Sequence, residues 1–333
     1  MTSTSARATP RRSRAVLALL CVTVLWGWTF VWMKQALDTT RAVLGPEGVA
    51  CGIGLFMTLR FGLAALAMLA LPAVRADLTP GAWRGGLWIG LALLGGFLLQ
   101  MFGLTGVSPA VSAFLTSLYV LFTALLNALR ERKPPHAALM LGALLATFGA
   151  GFIGGPPPQV TRWFGAGSSS DAAGFGRAEW LTIGCAFVFA VHILVTDAWT
   201  KREKPLPVTF TQFVVVAIGG ALTLALARWN TSLAPGATLW ALLAERGFWL
   251  PLLLSSSLAT VLALSLMNLF QRDLDPVRAA IVYAIEPVWA SLVGIALGYE
   301  HPTHWLWVGG SALLAGNLIA ELVPLWMQRR GAR

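Results

Sequence analysis

Charge is scarce in this chain. Asp, Glu, Lys and Arg together make up 11% of its 333 residues, against roughly a quarter in soluble domains. With 57% apolar residues and a mean hydropathy of +0.72, a water-soluble globule is excluded. Only three cysteines occur, Cys21, Cys51 and Cys185. All lie in apolar stretches without CxxC spacing, which rules out a disulfide framework and leaves small buried hydrophobes. The sequence has no GxSxG or HExxH to supply a nucleophile or metal set, no GxGxxG on a strand–helix unit and no Walker A loop. Neither catalysis of those kinds nor ATP-driven transport by this chain alone is indicated. His301 and His304 have metal-like spacing but too few further ligands nearby, so no metal and no cofactor are expected. A formal charge of +10 would suit nucleic acid only if the basic residues shared one face of a soluble domain. Here they separate apolar runs, and no nucleic-acid partner is expected.

Those runs are the main content. A helix needs about 20 mostly apolar residues to cross roughly 30 Å of hydrocarbon. Ten segments meet this, at 15–37, 49–71, 85–104, 110–129, 135–154, 180–200, 206–227, 247–270, 277–299 and 305–327. Residues 1–14 form a basic tail, and the run after it is too long, and lacks the A-x-A site, for a cleaved signal. Residues 155–179, with GPPPQV and GSSSDAAG, resist helix formation and read as a linker between 15–154 and 180–327; 328–333 form a second basic tail. With the N-terminus inside, the cytoplasmic side collects Arg7, Arg11, Arg12, Arg14, Arg75, Arg84, Arg130, Arg132, Lys133, Lys201, Arg202, Lys204, Arg272, Arg278, Arg329, Arg330 and Arg333. The other side has Lys34, Arg41, Arg162, Arg177, Arg228 and Arg246. Basic loops stay in the cytoplasm, so an inner-membrane protein with both termini cytoplasmic is expected. Tryptophans such as Trp83, Trp180, Trp229 and Trp326 mark span ends, as amphipathic rings do at headgroup level.

Residues 109–149 overlie 276–316 without gaps at an offset of 167, matching Pro109 with Pro276, Ala113 with Ala280, Gly142 with Gly309 and Gly149 with Gly316. The register suggests duplication. Five spans per half make the second half enter the membrane in the opposite sense. The expected fold is therefore an all-α polytopic membrane protein of about ten helices in two inverted five-helix repeats, an architecture of secondary carriers that bind substrate near the midplane.

The runs WGWTFVWMK (26–34), RF (60–61), SAFLTSLYVLFTALL (112–126) and IEPVWASLVGIALGYE (285–300) resemble the EamA-type branch of the drug/metabolite transporter superfamily over roughly residues 15–325. The resemblance implies a ten-helix carrier, often an exporter of amino acids or other metabolites, with a central cavity between the halves. The chain departs from the family where a proline is common in the fourth helix, having Leu118–Val120 there. Its fourth helix closes on Glu131–Arg132 but its ninth on Glu300–His301, so the two ends need not be gated alike.

Ionisable groups in a span are costly unless they face a partner or a wet cavity. Ser112, Thr116, Tyr119, Thr123 and Asn127 share one stripe of the fourth span. Tyr283, Glu286, Ala290, Gly294 and Gly298 share the matching stripe of the ninth. The stripes are either opposite walls of a cavity or helix-packing surfaces. Glu286, followed by Pro287, could take a proton or a substrate amine, or pair with Arg60 at similar depth. His192 is a cavity group or a packing residue, Gln100, Gln212 and Asn268 bridge helices or touch substrate, and Trp28 and Trp32 line a cavity or face lipid. The cavity candidates are thus Trp28, Trp32, Gln100, Thr116, Tyr119, His192, Asn268, Tyr283 and Glu286. The expected partners are the bilayer and a small solute. The expected function is secondary transport of an amino acid or similar amphoteric solute, outward and by alternating access, against the alternatives of an intramembrane enzyme or a non-transporting assembly factor.

Overall fold

The computed structural model describes residues 4–132, 135, 137–153, 176–231, 233, 236–299 and 301–331. Residues 155–175 of the expected linker 155–179 and the ends of both tails lie outside the described residues. Among the described residues there is no strand. Ten helical spans among the described residues carry the fold. They are α1 (Thr4–Leu44), α2 (Val49–Leu69), α3 (Pro80–Leu104), α4 (Pro109–Ser117 and Tyr119–Glu131), α5 (Ala137–Ile153), α6 (Arg177–Thr200), α7 (Pro205–Asn230), α8 (Arg246–Phe270), α9 (Pro276–Tyr283 and Glu286–Ala296) and α10 (His304–Gly331). Eight of the runs are long and apolar enough to cross a bilayer, and α5 and α10 contribute the shorter apolar segments Ala137–Gly149 and Trp307–Ala320. The chain is a polytopic all-α membrane protein.

Local chemistry explains where these helices begin and stop. Past Pro10 the next proline is Pro46, and Gly45, at φ 76°, ends the helix, so α1 is longer than the expected 15–37 at both ends. Hydropathy misses the start of α3 because Pro80, Gly81 and Arg84 lower the mean of its first residues. Thr79 caps it by accepting a hydrogen bond from the Ala82 amide, with Pro80 following. Inside α8, residues Ser255–Leu262 widen into a π-helix, where the Thr260 hydroxyl donates to the Ser255 carbonyl.

Two interruptions define the centre. Helix α4 tightens at Leu118, and α9 does so at Ala284–Ile285, where the Ile285 and Val288 amides bond only three residues back. Leu118 and Ile285 are 167 residues apart, so the two repeats break at the same place. Pro287 has no amide to offer the Tyr283 carbonyl, which favours the second break.

The halves meet along glycine seams. A Cβ on Gly316 would lie 2.7 Å from the Gly142 carbonyl and 2.6 Å from the Ala146 amide, and one on Gly149 would meet the backbone of Gly309 and Leu313. Exchanging the repeats turns the first contact into the second, so α5 and α10 straddle a pseudo-two-fold axis. Between α2 and α7, Gly54 abuts Leu224 while Gly220 abuts Met57 and Thr58. Backbones approach this closely in membranes because dispersion between small residues, rather than water exclusion, holds the helices together. The outer surface is apolar, as at Leu66, Leu222, Leu226, Leu318 and Leu322, and suits contact with lipid.

Candidate functional site

The restarts of α4 and α9 bring Tyr119 and Glu286 face to face, each as the first residue of its second half-helix. The Tyr119 hydroxyl donates to Glu286 Oε2 at 3.5 Å, and both side chains are buried. These residues are equivalents in the two repeats, so their contact lies across the pseudo-two-fold axis. Immediately before the break in α9, the Tyr283 hydroxyl donates to Gln271 Oε1 at 3.0 Å, and Gln271 Nε2 donates to the Ile193 carbonyl at 2.8 Å.

Around this pair is a cavity of about 50 Å³, far below the roughly 300–1,000 Å³ of pockets for drug-sized ligands. Its walls come from both halves: Trp26 and Thr29 of α1, Leu93, Phe97 and Gln100 of α3, Thr116 and Tyr119 of α4, Phe189, His192 and Ile193 of α6, Leu264 and Met267 of α8, and Tyr283 and Glu286 of α9. Trp26 packs on Tyr283 with ring centroids 5.3 Å apart, and Phe97 meets Phe189 edge-on at 5.5 Å. Glu286 is the one carboxylate in this wall, and Thr29 Oγ1 and His192 Nε2 have no hydrogen-bond partner among the described residues. A buried polar atom left unpaired costs roughly 1–3 kcal/mol, so the wall is suited to a polar guest.

Of the candidates, Gln100, Thr116, Tyr119, His192, Tyr283 and Glu286 line this cavity. The other candidates go elsewhere. Trp28 and Trp32 stack on each other at 5.8 Å away from the cavity, with Trp28 exposed. Trp26 and Thr29 hold the inward face, since 100° per residue puts Trp28 roughly opposite Trp26. Asn268 is a packing residue, its Nδ2 donating to Thr209 Oγ1 at 2.7 Å. Arg60 does not pair with Glu286. Its Nε donates to Thr260 Oγ1 at 2.7 Å, Nη1 approaches Met33 Sδ at 3.6 Å, and its guanidinium lies 4.6 Å over the Phe97 ring. The sequence signal that could have found Thr29 is a hydroxyl one turn after Trp26 within the apolar run of α1.

Toward the end of the bundle that gathers the basic loops, side chains tie one half to the other. Asp197 of α6, 1% exposed, takes Lys201 at 2.5 Å and Arg130 of α4 at 3.5 Å. Lys204 pairs with Asp77 at 2.7 Å, and Thr79 donates to Glu203 at 3.1 Å. Toward the opposite end lies a more open groove of about 550 Å³, whose lining includes Asp38, Arg41, Glu47, Phe102 and Arg177.

The model of the EamA-like transporter family matches the chain twice, over residues 13–155 and 176–321. The chain belongs to the EamA-like transporter family. An uncharacterized transporter of Archaeoglobus fulgidus is 25% identical over 316 residues, covering 94% of this chain and 87% of that protein. A protein of known crystal structure superposes with a TM-score of 0.67 at 19% identity, over 94% of this chain and 98% of its own; that likeness speaks to the fold alone. This EamA-like protein is a transporter rather than an enzyme, and its two family repeats account for the two halves of the bundle.

Proposed function

We propose that the central cavity carries a small amphoteric metabolite, an amino acid or a close analogue, outward across the inner membrane by alternating access without ATP. The supporting observation is Glu286: a buried carboxylate on the axis between the repeats, held by one long hydrogen bond from Tyr119. A carboxylate so placed takes a substrate ammonium or a coupling proton and releases it when the halves rock. The end bearing the basic loops is read as cytoplasmic, and its inter-repeat ties then close the cytoplasmic side around an occluded cavity.

The test is uptake into liposomes containing the purified protein, using labelled amino acids, nucleosides and organic cations with and without a pH gradient. Saturable uptake of amino acids above empty liposomes is expected. Glu286→Gln should lose the response to the gradient by roughly tenfold or more while reaching the membrane in normal amount. An unaltered response across pH 5–8, roughly the range of a perturbed carboxylate, would remove Glu286 from coupling. Uptake of nucleosides or cations alone would replace the substrate class.

A further inference from the structure

Arg60 is the twelfth residue of the 21-residue α2 and has no exposed surface. A cation at that depth is tolerated only where something answers its charge, yet no carboxylate among the described residues does so. Its neighbours are a hydroxyl, a thioether and the rings of Phe97 and Phe61, at 4.6 and 5.3 Å. Nη2 has no hydrogen-bond partner among the described residues. A guanidinium presents its donors in a planar fork that fits a carboxylate with two parallel bonds, and the terminal edge of this fork meets only sulfur.

The seat around it is nonetheless built. The π-turn of α8 lets the Thr260 hydroxyl donate to the Ser255 carbonyl five residues back, leaving its oxygen to accept from Arg60 Nε. The Ser256 hydroxyl donates to the Arg60 carbonyl at 2.8 Å and fixes the backbone. Such π segments are frequent at functional sites. The ring that covers the guanidinium is Phe97, which also lines the central cavity. One aromatic side chain therefore separates a buried cation lacking an anion from the cavity that holds Glu286.

We propose that Arg60 is the anion seat of the transport site, reached when Phe97 turns aside, and that it takes the carboxylate of the substrate. This rests on the carrier reading above and deepens it. Carboxylate on Arg60 and ammonium toward Glu286 make a zwitterion the matching substrate and account for a charge that folding alone does not require. Arg60 sets specificity between an acid and its neutral derivative, and Thr260 positions it.

Purified wild type, Arg60→Met and Thr260→Val are compared in liposomes with labelled neutral amino acids, their carboxamides and the corresponding decarboxylated amines. Wild type is expected to favour each transported amino acid over its amide by at least about tenfold, the scale of a lost charged hydrogen bond. In Arg60→Met that ratio falls to about one while amine uptake is kept, because removing an unpaired buried charge in favour of an apolar side chain is tolerated. Thr260→Val, which keeps the charge, raises KM for the amino acid and leaves that for the amide. If Arg60→Met does not fold, the Thr260→Val result decides alone. An unchanged acid-to-amide ratio in the folded variant, or wild-type indifference to the amide, overturns the anion seat and leaves the carrier reading standing. Failure of wild type to move any of these compounds overturns both.

Discussion

At the end of the bundle with the basic loops, the contacts Arg130–Asp197, Asp77–Lys204 and Thr79–Glu203 bind one half of the chain to the other, and Lys201 shares Asp197 from within the second half. At the opposite end Lys34 pairs only with Asp38 of its own helix, at 3.7 Å, and donates to the Leu104 carbonyl within the same half. Among the described residues no ion pair joins the halves there. The repeat relation sharpens the contrast, because the residue matching Arg130 in the second half is Leu297, partly exposed and uncharged. Among the described residues, the ionic fastenings between the halves of this symmetric scaffold thus sit at one end. An inverted repeat with identical ends would have two conformations of equal energy, and ionic contacts confined to one end favour the state in which that end is shut.

Removing the buried member of the fastening should have the largest effect. Asp197→Ala leaves Arg130 and Lys201 without their shared carboxylate, and breaking a buried pair costs about 3–5 kcal/mol. Both cations are about half exposed, which brings the expected loss nearer 2 kcal/mol. A lower Tm is expected. In a background lacking the native cysteines, Thr196→Cys should also react several-fold faster with an impermeant thiol reagent once Asp197 is gone. An unchanged labelling rate would mean that this end is held by packing.

The glycine seam provides the symmetric control. A Cβ at Gly149 or at Gly316 meets the backbone of the facing helix rather than a flexible side chain, so Gly149→Ala and Gly316→Ala should each cost about 1–3 kcal/mol by overpacking. This holds although alanine is the better helix former. As repeat equivalents they should cost the same to within about 0.5 kcal/mol, measured by thermal unfolding in detergent. A large difference would place the axis elsewhere. The smallest change is expected from Arg130→Leu, which makes this position like Leu297 and leaves Lys201 on Asp197. A loss under about 1 kcal/mol and a modest rise in Thr196→Cys labelling should result.

Much of this layout was legible in the sequence for definite reasons. Hydropathy locates spans because the bilayer demands their length, and the 167-residue register picked Tyr119 and Glu286 as counterparts before their contact at 3.5 Å could be seen. Periodicity is blind to three-dimensional facing where type is mistaken for direction: Trp28 and Trp32 were chosen as aromatics, yet Trp26 has the cavity face. Similar depth along two helices did not make partners of Arg60 and Glu286, because depth says nothing of the ring of Phe97 beside the guanidinium. The π-turn of α8 follows from local backbone bonding that hydropathy averages away. Asp197 is charged, near a span end and next to basic residues, which in sequence looks like an ordinary loop margin.

The contact between Tyr119 and Glu286 bears on how such a chain can arise. Residues that meet across a two-fold axis in a true pair of identical five-helix subunits must be the same residue. Two glutamates there would set like charges against each other, and two tyrosines would provide no carboxylate. Joining the halves in one polypeptide frees the two positions to differ, so the donor and acceptor at the centre of this cavity are a pairing that a homodimer of one such half could not encode.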